Sequence, residues 1–194
     1  MPAKRKSSSD DSEATAIAPE WVTALARRQF AGGNDDDDVG VWFIAKKTVE
    51  KSDLVTQQNR LYLPTDSVAT NLVVLLSPEE RVAANLDGDI HRERKRSRTE
   101  AEAEEEEETD GIMVRKPKAA GRSHGGLPVR VYARCGFVSF LRLTRWDGSG
   151  GTVVKGEELK LFRAWSALEK GDKLEVWAFR RGGDGELCFA IGRP

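Results

Sequence analysis

The first apolar stretch of the chain carries the pattern of two short strands followed by a helix. Val41 to Ile44 is an apolar run typical of a buried strand. Leu61 and Leu63 share one face of a second strand, because side chains in a strand alternate between its two faces. Ser77 precedes a proline and stands three residues before Glu80, which is the pattern of a capped helix start.

A second apolar stretch alternates more clearly. Val129, Val131 and Ala133 lie on one face of a predicted strand, and Arg130 and Tyr132 lie on the other. Further strands are expected at Phe137 to Trp146, Thr152 to Lys155, Lys173 to Arg180 and Leu187 to Ile191, with a one- to two-turn helix at Glu157 to Phe162. Many short strands with brief helices between them predict a mostly β, barrel-like domain.

The N-terminal region has a different composition. Residues 1 to 40 are rich in serine, alanine and charge, and are expected to be mostly disordered. Within them, a helix-compatible proline begins a short helix predicted over residues 19 to 30, with Trp21, Leu25 and Arg28 on one face. We interpret this segment as a short docking helix.

A charged insertion divides the folded part. Residues 87 to 126 carry a basic block followed directly by an acidic block that includes Glu104 to Glu108, and blocks of this kind cannot bury a core. The sequence therefore predicts one domain over residues 41 to 192, interrupted by a disordered insertion.

Composition limits the number of cores and the environment. With 194 residues and 39% hydrophobic residues, the chain has material for one core of ordinary size. No apolar run approaches the ~20 residues that span a bilayer, and the N-terminus lacks a signal core, so a soluble intracellular protein is expected. Cys135 and Cys188 each lie in an apolar run, which predicts two small buried thiols rather than a disulfide framework.

The residues of catalytic and metal sites are scarce. His91 and His124 are the only histidines, and both fall in the predicted insertion, where neither can be held in a fixed geometry. Gly182 to Gly185 is interpreted as a hairpin rather than a phosphate loop, because no helix follows it. We expect no enzyme activity, no cofactor, no metal and no small-molecule substrate.

Several motifs resemble those of a known family. The stretch Val49 to Pro64 resembles the opening of the plant B3 DNA-binding domain, where a Ser-Asp pair leads through a loop to Asn-Arg-Leu and a proline. Phe140 to Trp146, Val153 to Gly156 and Leu168 to Asp172 resemble later segments of the same family in order and spacing. The resemblance covers about residues 42 to 192 apart from the insertion, and is closest to a divergent subfamily formerly catalogued as a domain of unknown function.

This resemblance implies a fold and a partner. The fold is a seven-stranded open β-barrel, a DNA-binding pseudobarrel, with two or so short α-helices. The partner is double-stranded DNA, gripped by two loops in the major groove, where all four base pairs present distinct donor and acceptor patterns. The first arm is Lys51 to Arg60 and the second arm is Arg145 to Gly151. The family's contact positions correspond to Asn59, Arg60, Trp146 and Ser149.

Other cations on or beside the two arms are candidate phosphate contacts. They are Lys46, Lys47, Lys51, Arg142, Arg145 and Lys155. Without the resemblance, such a cluster is more often a solvated charged face. One departure from the family is Asp147, which stands where many B3 domains carry asparagine. Of the tryptophans, Trp42, Trp165 and Trp177 are predicted to be core residues, and Trp146 is not.

The basic block of the insertion indicates nuclear targeting, with a merely solvated charge run as the alternative. It consists of Arg92, Arg94, Lys95, Arg96 and Arg98. The leading hypothesis is thus a nuclear, sequence-specific DNA-binding protein in transcriptional regulation, with the acidic segments as a candidate site for other transcription proteins. The alternative is a B3-like barrel without DNA affinity that acts as a protein-interaction scaffold. A positive face formed by both arms favours the first hypothesis, and a face dominated by Asp53 and Asp147 favours the second.

Overall fold

A computed structural model describes residues 17–30, 39–87, 125–146 and 150–194, which form seven strands. They are β1 (Val41–Thr48), β2 (Arg60–Leu63), β3 (Leu127–Ala133), β4 (Val138–Arg145), β5 (Thr152–Lys155), β6 (Lys173–Arg180) and β7 (Leu187–Gly192). They make one sheet in the order β1-β6-β7-β3-β4-β5-β2. All neighbours are antiparallel except β3 and β7. The sheet curls, and its edge strands β1 and β2 do not pair with each other, so the predicted open barrel is confirmed.

Short helices connect the strands. They are α1 (Glu20–Gln29), α2 (Thr65–Ser67), α3 (Pro78–Ala83) and α4 (Leu159–Trp165). A 3-10 turn (Lys51–Leu54), a π turn (Val68–Leu72) and a second 3-10 turn (Val73–Leu75) complete the first half. The predicted cap of α3 is confirmed, because the Ser77 hydroxyl accepts from the Glu80 amide and the Glu80 carboxylate accepts from the Ser77 amide.

The core lies inside the curled sheet. Its largest members include Leu61, Leu63, Leu143, Phe162 and Phe189, all of which are almost completely buried. Leu61 and Leu63 point inward together, as the alternation of apolar residues predicts. Burial of this apolar surface is the main force that keeps the sheet curled around α4.

Helix α1 covers part of the outer surface of the sheet. Val22, Leu25 and Ala26 are buried against a second apolar cluster, at the spacing expected for one face of a helix. This cluster is formed by Tyr132, Trp177, Phe179, Cys188 and Ala190. The predicted docking helix is thus present and docks on the chain's own sheet. Its buried face differs from the predicted one, because Arg28 is exposed and Trp21 is only partly buried.

Three sequence interpretations are corrected. Cys135 is exposed because β3 ends at Ala133, which leaves the thiol in the turn before β4. Trp165 is 61% exposed because it is the last residue of α4, where its ring stacks on Phe137 at the rim of the barrel. Trp42, on an edge strand, is 37% exposed.

The predictions for Cys188 and Trp177 are confirmed. Both side chains are buried under α1. Burial raises the pKa of the Cys188 thiol to about 12. The thiol therefore behaves as a small apolar group rather than as a nucleophile.

Candidate nucleic-acid interface

Three cations stand side by side on neighbouring strands at one end of the sheet. Lys155 of β5 is the direct cross-strand partner of Arg142 on β4 and of Arg60 on β2. Directly opposite residues project from the same face of a sheet. We call Arg142, Lys155 and Arg60 the cationic row. Like charges placed directly opposite each other destabilise a sheet, so this arrangement carries a cost to folding.

Trp146 joins the cationic row to the second arm. The Arg60 guanidinium carbon lies 4.7 Å from the centroid of the Trp146 ring, and the Lys155 Nζ lies 6.0 Å from it. Both distances are within the range of a cation–π interaction. Two members of the row are therefore gathered around one aromatic ring, which places the row beside the start of the second arm.

Two members of the row, Arg60 and Arg142, are not paired with an acidic side chain among the described residues. Arg142 Nη1 donates instead to the carbonyl of Gly126, at 3.1 Å. These two guanidiniums can therefore meet an external anion.

The described residues of the second arm are held by their own backbone. The Trp146 amide donates to the Gly151 carbonyl and the Gly150 amide to the Trp146 carbonyl, each at 2.7 Å. Arg145 Nε donates to the Gly150 carbonyl at 3.0 Å, so this arginine closes the loop instead of projecting from it. At the base of the arm, the Arg145 amide donates to the carbonyl of Ala84, the residue that caps the end of α3.

Glycine is required in the second arm on two grounds. Gly150 has φ +69°, a conformation that favours glycine. At Gly151, a Cβ atom would lie 1.8 Å from the hydroxyl oxygen of Tyr62 and about as close to its ring. The close approach of Tyr62 on β2 therefore ties the shape of the second arm to the strand that follows the first arm.

The first arm is held by buried charges that lie beneath it. Asp53, in the 3-10 turn of the arm, is only 2% exposed. Its carboxylate accepts from the amides of Glu50 (2.9 Å) and Tyr62 (3.0 Å) and from Lys47 Nζ (2.8 Å). The side chain of Lys47 is itself only 8% exposed. Lys47 is thus an internal ion-pair partner, and the structure does not bring it to the surface as a phosphate contact.

Arg163, which the sequence interpretation missed, holds the two ends of the tip of the first arm, at residues 55 and 60. Arg163 of α4 is buried, and its Nη1 and Nη2 donate to the carbonyls of Val55 (3.4 Å) and Arg60 (3.1 Å). Loss of hydration lowers the pKa of Arg163, and the nearby carboxylate of Asp53 opposes that shift. The signal was present in the sequence, because Arg163 lies on the apolar face of α4 with Leu159 and Phe162.

Asn59 is turned toward the start of α4. Its Nδ2 donates to Glu157 Oε1 at 3.2 Å, and its carbonyl accepts from the amide of Gly156 at 3.0 Å. Its backbone is left-handed, with φ 39°, which asparagine tolerates better than most residues. Its Oδ1 is buried and has no partner among the described residues. The amide that the sequence predicts as a base reader is therefore only half satisfied within the fold.

Sequence comparison identifies a relative for this domain. A B3 domain-containing protein of Arabidopsis thaliana aligns with this chain over 195 positions, gaps included, at 23% identity. The alignment covers 91% of this chain and 43% of that protein. The chain is thus similar to a protein that contains a plant B3 domain. It spans less than half the length of this curated relative. No family model matches the chain. Among solved structures, the Arabidopsis FUS3–DNA complex is similar over 78% of this chain and 97% of that chain, at 14% identity and a TM-score of 0.38.

The remaining predicted contacts of the B3-like domain are dispersed. Lys51 is exposed at the start of the first arm. Lys46 is exposed on β1, the edge strand opposite to β2, with its Nζ 4.0 Å from a carboxylate oxygen of Glu175. Ser149 and Asp147 lie outside the described residues, as do the basic block Arg92 to Arg98 and both histidines.

The described part of the B3-like domain lacks the features of two other kinds of site, a metal centre and a membrane-spanning helix. It contains no group of three or more histidine, cysteine or acidic side chains placed to hold a metal ion. None of its helices is long and apolar enough to cross a membrane. The cationic row with Trp146 and the two arms is therefore the candidate site of this domain.

Proposed function

We propose that this domain binds double-stranded DNA sequence-specifically and acts in transcriptional regulation in the nucleus, without enzymatic activity. The observation that carries the proposal is the cationic row, in which three cations stand directly opposite one another beside Trp146. Like charges placed directly opposite one another oppose folding, and Arg60 and Arg142, which have no acidic partner among the described residues, could be neutralised by an external polyanion. The similarity to a B3 domain-containing protein supports the same conclusion.

The dimensions of the row suit a phosphate backbone. Neighbouring strands lie about 4.8 Å apart, so three adjacent strands spread the cations over roughly 10 Å. One DNA strand carries a phosphate about every 3.4 Å along the helix axis. Because the strand also winds around the axis, neighbouring phosphates are further apart in space than this rise, and the row reaches about two phosphates of one strand. We assign Arg142, Lys155 and Arg60 to positioning the barrel on the duplex, a task that carries no sequence information.

Base reading is assigned to the arms. The side-chain amide of Asn59 pairs well with adenine in the major groove, and its unpartnered Oδ1 and its bond to Glu157 are the groups that a base edge would satisfy or replace. Ser149 is the proposed second reader, by resemblance. Nuclear entry is assigned to the basic block Arg92 to Arg98, and replacing its five cations by alanine would move a fluorescent fusion toward the cytoplasm.

One observation favours a second candidate function. Arg145 closes its own loop and Asn59 is turned to Glu157, so two of the predicted contact residues do not project from the surface. A barrel with such arms and no DNA affinity would serve as a protein-interaction scaffold. The scaffold and the DNA-binding protein differ in whether selected duplexes are bound more tightly than random ones.

The deciding experiment selects duplexes from a random pool with the purified full chain. Affinity is then measured against salt concentration for a selected and a random duplex. Arg60→Ala, Arg142→Ala and Lys155→Ala would each weaken binding to both duplexes and lower the salt slope by roughly 1 for each phosphate that the variant no longer neutralises. Lys173→Ala, at an exposed position of β6, is the control and would leave the slope unchanged.

Asn59→Ala separates reading from positioning in the same assay. It would cost about 1 to 3 kcal/mol on the selected duplex and little on the random one. If the unmodified chain binds both duplexes equally at physiological salt, the scaffold replaces the DNA-binding protein as the proposed function.

A further inference from the structure

We propose that Arg163 is a positioning residue that holds the first arm in its base-reading shape without touching DNA. The inference rests on the proposed function for its consequence, but its structural part is testable without DNA. The observation behind it is a single buried guanidinium that donates to carbonyls at both ends of the segment from Val55 to Arg60.

The pair of hydrogen bonds spans the tip of the arm. Val55 ends the 3-10 turn of the arm and Arg60 begins β2, so the carbonyls bound by Arg163 bracket the residues of the tip. The bond to the Arg60 carbonyl fixes the backbone of a member of the cationic row. Arg60 directly follows Asn59, and the left-handed backbone of Asn59 sets the direction of the arm.

Arginine suits this pair of bonds better than lysine does. A guanidinium carries five donors in a rigid fork, whereas a lysine ammonium is a point charge on a flexible stem. Burial of this guanidinium is costly, and its Nε has no hydrogen-bond partner among the described residues. An apolar side chain at position 163, beside Leu159 and Phe162, would avoid the cost of burying a charge. The benefit specific to arginine at this position is therefore the restraint on the arm.

The charges beneath the arm support this assignment. Asp53 acts on two cations, because its carboxylate is paired with Lys47 and its charge raises the pKa of Arg163 against the effect of burial. The three buried groups belong to β1, the first arm and α4. The guanidinium is thus the link through which α4 restrains the arm, and it lies on the buried side, away from the cationic row.

This geometry predicts a particular effect on DNA binding. A restrained arm has already lost conformational freedom before it meets the duplex, so binding needs to remove less of it. Release of the arm would weaken binding to the selected duplex, where the arm must be ordered against bases. Binding to random DNA depends on the phosphate contacts of the cationic row, and would change little.

The test compares Arg163→Met and Arg163→Lys with Arg193→Met in the full chain. Arg193 is a matched control, because its guanidinium also donates to two backbone carbonyls, those of Ser166 and Ala167, at the far end of α4. Amide hydrogen exchange across residues 51 to 60 is measured without DNA. Exchange in the arm should rise in Arg163→Met, rise less in Arg163→Lys, and stay at the wild-type level in Arg193→Met.

Binding provides the second readout. Arg163→Met should bind the selected duplex about tenfold more weakly, the equivalent of the conformational freedom of one backbone residue, with the random duplex unchanged. Unchanged exchange in the arm would overturn the inference, as would an equal weakening on both duplexes. If Arg163→Met does not fold, Arg163→Lys supplies the same readouts. If the wild-type chain binds no DNA, the proposed function fails, and hydrogen exchange still decides whether Arg163 restrains the arm.

Discussion

The two arms are built on different principles. The described residues of the second arm are held by short-range backbone bonds and glycines, with Trp146 and Gly151 joined directly across the loop. The first arm contains the 3-10 turn and a second turn closed by the bond from the Gln58 amide to the Val55 carbonyl. It is also held by two side chains from outside the arm, Lys47 of β1 and Arg163 of α4. The described residues of the second arm are thus held mainly by local bonds, and the first arm depends in addition on buried side chains of β1 and α4.

This difference determines how each arm responds to substitution. In the first arm, a change at one buried charge leaves its partners buried and unpaired, so the effect is large and reaches the whole domain. In the second arm, the effect is confined to the loop and to Tyr62, which touches it. The following experiments separate these two kinds of dependence.

The largest effect is expected from Asp53→Asn. The variant keeps the size of the side chain but removes the negative charge that pairs with Lys47 and acts on Arg163, so two buried cations lose compensation. We expect a loss of about 3 to 5 kcal/mol in the free energy of unfolding, measured with urea. Glu175→Gln is the control, because its partner Lys46 is 75% exposed, and it should cost less than about 1 kcal/mol. Equal losses in the two variants would show that the buried charges do not stabilise the first arm.

A smaller effect is expected from Gly151→Ala. The new methyl group would collide with Tyr62, and we expect a loss of about 1 to 3 kcal/mol in the free energy of unfolding. Gly125→Ala, which meets no atom within 4 Å, should change stability by less than about 0.5 kcal/mol. In the background Tyr62→Ala, the cost of Gly151→Ala should largely disappear. A cost that persists there would show that the loop's backbone, and not the collision, sets the requirement.

The smallest effect concerns the contact between the arms. A double-mutant cycle of Arg60→Met and Trp146→Leu should give a coupling free energy of about 0.5 to 1 kcal/mol in urea unfolding. The pair Arg130 and Phe140 has the same separation of 4.7 Å on the same sheet, so Arg130→Met with Phe140→Leu is the reference cycle. The reference coupling should be no larger, because tryptophan is the better cation–π partner. A coupling of zero for Arg60 and Trp146 would mean that the arms are energetically independent.

The strands were predictable because their signals are local. The alternation in β3, the capped start of α3 and the positions of β5, β6 and β7 follow from spacing within a few residues. Boundaries were less accurate, since α4 begins at Leu159, two residues after the predicted start, and β1 continues to Thr48. The exposure of Trp165 and Cys135 depends on where α4 and β3 end relative to the rim of the barrel, which spacing alone does not determine.

The site was predictable only in part, for a related reason. Arg60, Trp146, Lys155 and Arg142 were identified from motifs and charge, but their side-by-side arrangement depends on the register of β2, β5 and β4. The role of Arg163 depends on contacts between residues far apart in sequence, and the burial of Lys47 and its neighbour Asp53 depends on how the surrounding fold covers the pair. Arg163 to Arg60 spans 103 positions. No pattern within a short window of sequence contains such information.

The strand order also determines when the sheet can assemble during synthesis. Within the described residues, the first two strands to emerge have no sheet partner among those made before residue 150, because β2 pairs with β5 and β1 with β6. A ribosome must therefore translate most of the message before either strand forms its first ladder bond. Until then Leu61 and Leu63 remain uncovered by their own barrel, and the nascent chain presents apolar surface and unpaired edges to other proteins. Strands β5 and β6, which are translated late, thus complete the ladders of the first two strands.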